Sequence, residues 1–142
     1  MRVNELMTKE VRTVTPEHSL QDAARLMSLI DVGFLPVAQD DRLVGTITDR
    51  DMAVRALAEG MGPETPVSQV MTRDVKYCFE DEDVEHVARN MGDIQVRRLP
   101  VVNRDKRLVG VISLGDMAID ALSADAAETA LSGISQPNTR AH

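Results

Sequence analysis

Apolar residues recur along this chain with two distinct periods. From residue 20 the spacing is three and four: Leu20, Ala23, Ala24, Met27 and Ile30. That spacing predicts a helix with one buried stripe. Ser19, just before it, is a predicted N-cap. The same spacing returns at Val84, Val87, Ala88, Met91 and Ile94. After each helix come two short apolar runs, residues 34–37 and 43–47, then 99–102 and 108–112, which predict strands. Polar turns join them, Gln39-Asp40-Asp41 in one case and Asn103-Arg104-Asp105-Lys106 in the other. Val11, Thr13 and Thr15 alternate ahead of Pro16 and predict a short opening strand. Second helices are expected over 51–59 and 116–122, with Gly60 as the C-cap of the first.

The pattern is therefore written twice. Residues 3–38 lie over 67–102 without a gap, and 42–57 lie over 107–122 after a one-residue insertion near Asp105. Matches cluster at Met7-Thr8 and Met71-Thr72, at Leu35-Pro36-Val37 and Leu99-Pro100-Val101, and at Arg42-Leu43-Val44-Gly45 and Arg107-Leu108-Val109-Gly110. A fixed internal period identifies repeat architecture. The expected fold is α/β (α+β): tandem repeats, each β-α-β-β-α, packed with pseudo-twofold symmetry. The boundaries read as repeat 1 over 1–59, a linker over 60–66, repeat 2 over 67–122 and a tail over 123–142. The linker is short and carries two prolines, which favours packed repeats over separate beads. A single repeat of this size is marginal alone. The tail turns small and polar and is expected to be partly disordered.

Composition narrows the chemistry. The 142 residues are 43 % hydrophobic but only 2 % aromatic, so the core is built from Val, Leu, Ile, Ala and Met. Met7, Met27, Met52, Met71, Met91 and Met117 fall at matching repeat positions and are read as core filler. The net charge of −7 argues against DNA and against an anionic membrane surface as partners. Cys78 is the single cysteine, which excludes an intramolecular disulfide and a thiolate metal cluster and leaves a small apolar strand residue. His18, His86 and His142 show no metal-ligand spacing. The opening residues carry no long apolar run, and no stretch is long enough to span a membrane, so a cytoplasmic location is expected.

Two segments stand apart: Gly45-Thr46-Ile47-Thr48-Asp49-Arg50-Asp51 and Gly110-Val111-Ile112-Ser113-Leu114-Gly115-Asp116. Both read G-x-I-[ST]-x-x-D at a strand-to-helix junction. The plain reading is a capping box, with Thr48 paired to Asp51 and Ser113 to Asp116. The functional reading uses the same geometry. Free amides at a helix start suit a phosphate, and a carboxylate one turn in suits a ribose diol. The glycine ahead of each junction would admit a ligand close to the backbone. Arg50 has two readings as well, a phosphate contact or an exposed surface residue.

In these segments, in the Met-Thr openings and in the Leu-Pro-Val runs, the chain resembles paired CBS domains, or Bateman modules, over residues 3–122. It is most similar to the short bacterial proteins made of one such pair. The resemblance implies adenosine ligands in two clefts: AMP, ADP or ATP, or NAD or another adenosyl compound. Carried over, cleft one would use Thr48 and Asp51 with Val75, Lys76, Val96, Arg97 and Arg98. Cleft two would use Ser113 and Asp116 with Val11, Arg12, Val32, Gly33 and Phe34. In that pattern the Asp holds the ribose, the Ser or Thr touches ribose or phosphate, and the opening strand reads adenine. Arg97-Arg98 against Gly33-Phe34 would make cleft one the tighter phosphate site, with at most one arginine entering because strand side chains alternate.

The resemblance also implies a homodimer. With no output domain in view, the expected function is a regulatory adenine-nucleotide sensor, acting alone or on a protein target, with no catalytic cofactor. The alternative is a structural or partner-docking protein with vestigial clefts. No nucleophile–base pair, metal cluster or Gly-rich phosphate loop supports an enzyme.

Overall fold

A computed structural model describes residues 1–94 and 97–119. Val96, the end of the helix expected over 116–122 and the tail over 123–142 lie outside the described residues.

Helix α2 (Leu20–Ile30) starts where Ser19 stands. The Ser19 hydroxyl accepts the Asp22 amide at 3.1 Å, and the Asp22 carboxylate accepts the Ser19 amide at 3.4 Å. Leu20, Ala23 and Met27 are buried and Ile30 is half-buried, but Ala24 is exposed. The stripe is thus narrower than its spacing predicts. Strands β1 (Phe34–Gln39) and β2 (Arg42–Thr48) pair antiparallel. Asp40 and Asp41 between them both have positive φ, the backbone of a tight hairpin turn that matches strand twist. The second hairpin, β4 (Arg98–Val102) and β5 (Leu108–Ser113), turns through Lys106 at positive φ. There the Asn103 side chain accepts the amides of Asp105 and Arg107, each at 3.0 Å. Helix α4 (Val84–Ile94) buries Val84, Val87, Ala88 and Met91.

The opening strands are shorter than expected. In the first repeat only Val14 pairs, parallel to Val37. In the second, β3 (Cys78–Phe79) pairs parallel to β4. The helix after β2 is irregular: α3 (Asp49–Asp51), a π-helical turn over Met52–Ala56, then a 3-10 turn over Leu57–Glu59. Gly60 ends it in the left-handed conformation at φ 77°, as expected. After β5 comes α5 (Leu114–Ile119). Helix α1 (Val3–Leu6) and a 3-10 turn over Val67–Gln69 open the two repeats. Both are too short to leave a periodic signal.

The chain forms two compact units that do not follow the repeat boundaries. One is Arg12–Val75. The other joins Met1–Val11 to the described residues from Lys76 onward. Each repeat lends its opening to the body of the other. In the first unit, Leu20 donates its amide to the Thr65 carbonyl and Val67 donates to His18, at 2.9 and 2.8 Å. In the second, Val84 donates to Met1 and Val3 to Glu82, at 2.9 and 3.0 Å. These pairs occupy equivalent positions of the repeat. They satisfy helix-start amides that have no partner inside the helix. The exchange continues on the strands: Thr72 bonds Thr46 in both directions, as Thr8 bonds Val111.

This exchange explains two glycines. A Cβ on Gly45 would stand 2.8 Å from Met71 Sδ and 2.9 Å from the Thr72 carbonyl oxygen. A Cβ on Gly110 would stand 2.6 Å from Met7 Sδ and 2.9 Å from the Thr8 oxygen. The chain itself fills the space that the sequence reading left for a ligand. Each unit has its own core. One gathers Val14, Leu20, Ala23, Met27, Leu35, Val37, Ile47 and Met71, the other Val3, Val84, Met91, Leu99, Val101, Ile112 and Leu114. Met27, Met71 and Met91 are buried and Met7 and Met52 pack partly against the cores; the Met117 side chain lies outside the described residues.

Gly110→Ala is expected to destabilise the protein by about 1–3 kcal/mol, because backbone as well as a thioether lines the space. Thermal unfolding reads this, and a melting temperature equal to wild type contradicts the close approach. Cys78 sits on β3 at 2 % exposure, and burial, with the Glu82 charge second, pushes its thiol up to about 12. A neutral buried thiol is a poor nucleophile. Cys78 should therefore resist a thiol reagent at pH 8 in the native protein and react at once in denaturant; rapid native labelling overturns this placement.

Candidate functional site

The two G-x-I-[ST]-x-x-D segments are the places where chemistry-bearing side chains collect. At the first junction β2 ends on Thr48. The Thr48 hydroxyl accepts the Asp51 amide and the Asp51 Oδ2 accepts the Thr48 amide, both at 3.0 Å. At the second, the Ser113 hydroxyl accepts the Asp116 amide at 3.1 Å and Asp116 Oδ2 accepts the Ser113 amide at 3.0 Å. The capping box is thus complete twice. It does not exhaust either carboxylate, since each has lone pairs for several donors. A ribose diol approaching Asp51 or Asp116 finds a half-buried acceptor already fixed in orientation.

Pairing of the hairpins decides what lies beside each junction. Phe34 is the register partner of Thr48, and the Asp49 amide donates to the Gly33 carbonyl at 3.0 Å. Val32, half-buried against the first core, donates its amide to Met27. Arg98 is the partner of Ser113, and the Leu114 amide donates to the Arg97 carbonyl at 3.0 Å. Hence Val32, Gly33 and Phe34 flank Thr48 and Asp51, while Arg97 and Arg98 flank Ser113 and Asp116. The sequence reading assigned Arg97 and Arg98 to Thr48 and Asp51, and Gly33 and Phe34 to Ser113 and Asp116; within each unit the hairpin sets the residues before β1 or β4 beside the junction of their own repeat.

The opening residues fall in the unit that carries the body of the other repeat. Val75 falls in the same unit as Thr48 and Asp51, three residues beyond the Thr72 bridge to β2. Val11 likewise falls with Ser113 and Asp116, three residues beyond Thr8. Arg12 and Lys76, both exposed, stand just past these points, where each unit begins anew.

Two side chains that sequence reasoning passed over shape the first junction. Asp49 is exposed, and its Oδ1 accepts the Arg50 amide at 2.8 Å. Its Oδ2 lies 2.6 Å from where a Cβ on Gly33 would stand. Arg55 Nε lies 3.8 Å from Asp51 Oδ1, and its Nη1 donates to the Val70 carbonyl at 3.4 Å. Arg55 stands four residues after Asp51, the helical spacing for an ion pair, so spacing alone could have marked it. Asp49 needed the repeat alignment, which sets it against Leu114. His18 is exposed and uses Nδ1 to accept the Thr15 amide at 2.9 Å. Among the described residues no group of His, Cys, Asp and Glu is arranged to hold a metal ion. No helix of the described residues is long and apolar enough to cross a membrane.

Comparison with known proteins agrees with the repeat and its fold. The CBS domain family model matches residues 3–57 and 67–119. A CBS domain-containing protein of Bacillus subtilis, YhcV, is 40 % identical over 136 residues, 96 % of each chain. The CBS domain pair of protein MJ0100, solved with 5′-methylthioadenosine and S-adenosyl-L-methionine, is 31 % identical. It superposes with a TM-score of 0.73 over 84 % of this chain and 94 % of its own. CBSX2, solved with AMP, is 28 % identical, with a TM-score of 0.76 over 87 % of this chain and 98 % of its own. The doubled junction, the hairpin pairing and these matches have one common reading: the chain belongs to the CBS domain family and carries two CBS repeats.

Proposed function

We propose that this chain is a regulatory module that binds adenine nucleotides and has no catalytic activity of its own. The observation that carries the reading is the duplicated junction, a hydroxyl and a carboxylate locked together at a strand end, twice. The ligands of MJ0100 and CBSX2, all adenosyl compounds, support the ligand class. Asp51 and Asp116 are the ribose acceptors, Thr48 and Ser113 their hydroxyl partners. The opening residues around Val75 and Val11 supply backbone groups to adenine. Arg97 and Arg98 stand beside Ser113, so the second junction is the phosphate-bearing one. A guanidinium there makes charge-assisted bonds that a Gly33-Phe34 pair has no means to make.

Binding couples to the fold by mass action. A ligand that prefers the native state stabilises it, and any assembly that requires that state shifts with it. Leu29, Val54 and Leu57 are 74 %, 48 % and 75 % exposed on helical segments. Apolar surface of that kind suits a homodimer, the assembly proposed to read the nucleotide state for itself or for a protein target in the cytoplasm. The net charge of −7 weighs against DNA as that target. A second reading rests on the completed caps: junctions already satisfied without ligand also fit a partner-docking protein whose ligand sites are vestigial.

Calorimetric titration with AMP, ADP, ATP and NAD decides between them. Wild type is expected to bind, and Asp116→Ala to weaken AMP most. Loss of charge-assisted bonds worth about 1.5–3 kcal/mol corresponds to roughly tenfold or more in affinity. No heat with any of the four, together with no rise in melting temperature at millimolar nucleotide, establishes the docking protein instead.

A further inference from the structure

We propose that the first junction rejects phosphate and takes an adenosyl ligand whose 5′ group is neutral or cationic, because the Asp49 carboxylate already holds the anion position there. The proposal rests on the adenosyl-binding reading and adds the class of ligand for one of its two sites.

The repeat alignment sets Asp49 against Leu114 and Gly33 against Arg97. These are neighbours in space as well as equivalents in sequence. In one repeat the Asp49 amide bonds Gly33, and in the other the Leu114 amide bonds Arg97. At the first junction the absence of a side chain on Gly33 leaves room, and the Asp49 carboxylate fills it. At the second, the Leu114 side chain turns into the core at 4 % exposure, and exposed Arg97 and Arg98 stand beside it. The two junctions share a ribose carboxylate, but a second carboxylate stands beside the first and two arginines beside the second.

The amides of the first turn give the same answer. At the first junction the Asp49 amide goes to Gly33, the Arg50 amide to the Asp49 carboxylate and the Asp51 amide to the Thr48 hydroxyl. All three donors that would receive a phosphate are committed, one of them to a resident anion. A phosphate would have to displace Asp49 and then remain beside it. Leu114 offers no acceptor for the amide of Gly115, so no side chain at that position competes with an arriving phosphate. Arg55 does not reverse the balance, since it is held on Asp51 and the Val70 carbonyl and is itself half exposed. Arg50 is exposed, and its amide serves the Asp49 carboxylate.

The test reads the first junction alone, in the full chain with Asp116→Ala. Three probes differ only at the 5′ position: AMP, adenosine and 5′-amino-5′-deoxyadenosine, anionic, neutral and cationic near pH 7. Removing a like charge from contact range in a partly solvated site is expected to change affinity about tenfold. Asp116→Ala should bind adenosine and the amino compound about tenfold more tightly than AMP. Adding Asp49→Leu, which copies the second junction, or the isosteric Asp49→Asn, should raise AMP affinity about tenfold and leave adenosine unchanged. The proposal is overturned if Asp116→Ala binds AMP as tightly as adenosine, if it binds none of the probes while wild type does, or if neither Asp49 variant moves AMP. Wild type binding none of the three overturns the adenosyl reading as well, and so distinguishes the two failures.

Discussion

Each Met-Thr pair lies on a strand of the other repeat at a distance only glycine permits. Met71-Thr72 covers Gly45 and Met7-Thr8 covers Gly110, with backbone carbonyls 2.9 Å from where a Cβ would be. That approach adds a paired segment to the free edge of β2 and of β5. It brings Val75 into the unit of Thr48, and Val11 into that of Ser113. Just ahead of these segments, Thr65 and Met1 accept the first amides of α2 and α4, which would otherwise lack partners. The junctions that carry the candidate chemistry stand at the ends of β2 and β5, so their composition depends on this exchange.

Much of this was legible from residue order. The stripes at Leu20–Ile30 and Val84–Ile94, the hairpins, Gly60 as a cap and both Thr/Ser–Asp pairs follow from local pattern. Local pattern works there because each feature is decided within a few residues. The openings were harder. Helix α1 and the turn at Val67–Gln69 are too short for periodicity, and the first opening strand shrinks to the single partner Val14. Residue order places Arg97 and Arg98 just before a Leu-Pro-Val run, and only the hairpin register shows that Arg98 stands opposite Ser113.

Duplication also let the two junctions diverge without disturbing the fold. Thr48–Asp51 and Ser113–Asp116 keep nearly identical cap distances, so the architecture is held equally in both. Around them the side chains are free to differ: Gly33, Asp49 and Arg55 on one side, Arg97 and Leu114 on the other. Caps contribute about 1 kcal/mol each to a helix start. Electrostatics beside them costs the fold little, because Asp49, Arg97 and Arg98 are exposed. Selectivity can therefore drift while stability stays fixed.

The exchange of openings also has a consequence for the order in which the chain acquires structure during synthesis. The unit Arg12–Val75 is continuous, so all of its own residues are present once Val75 has been added. Residues 1–11 have their partners at Glu80, Glu82, Val84 and Val111, far along the chain. Domains form as units from the amino-terminal side, but residues 1–11 gain their partners only after the unit Arg12–Val75 has been made. Damage to residues 1–11 therefore falls first on the unit that resumes at Lys76, and not on the residues that follow them in sequence.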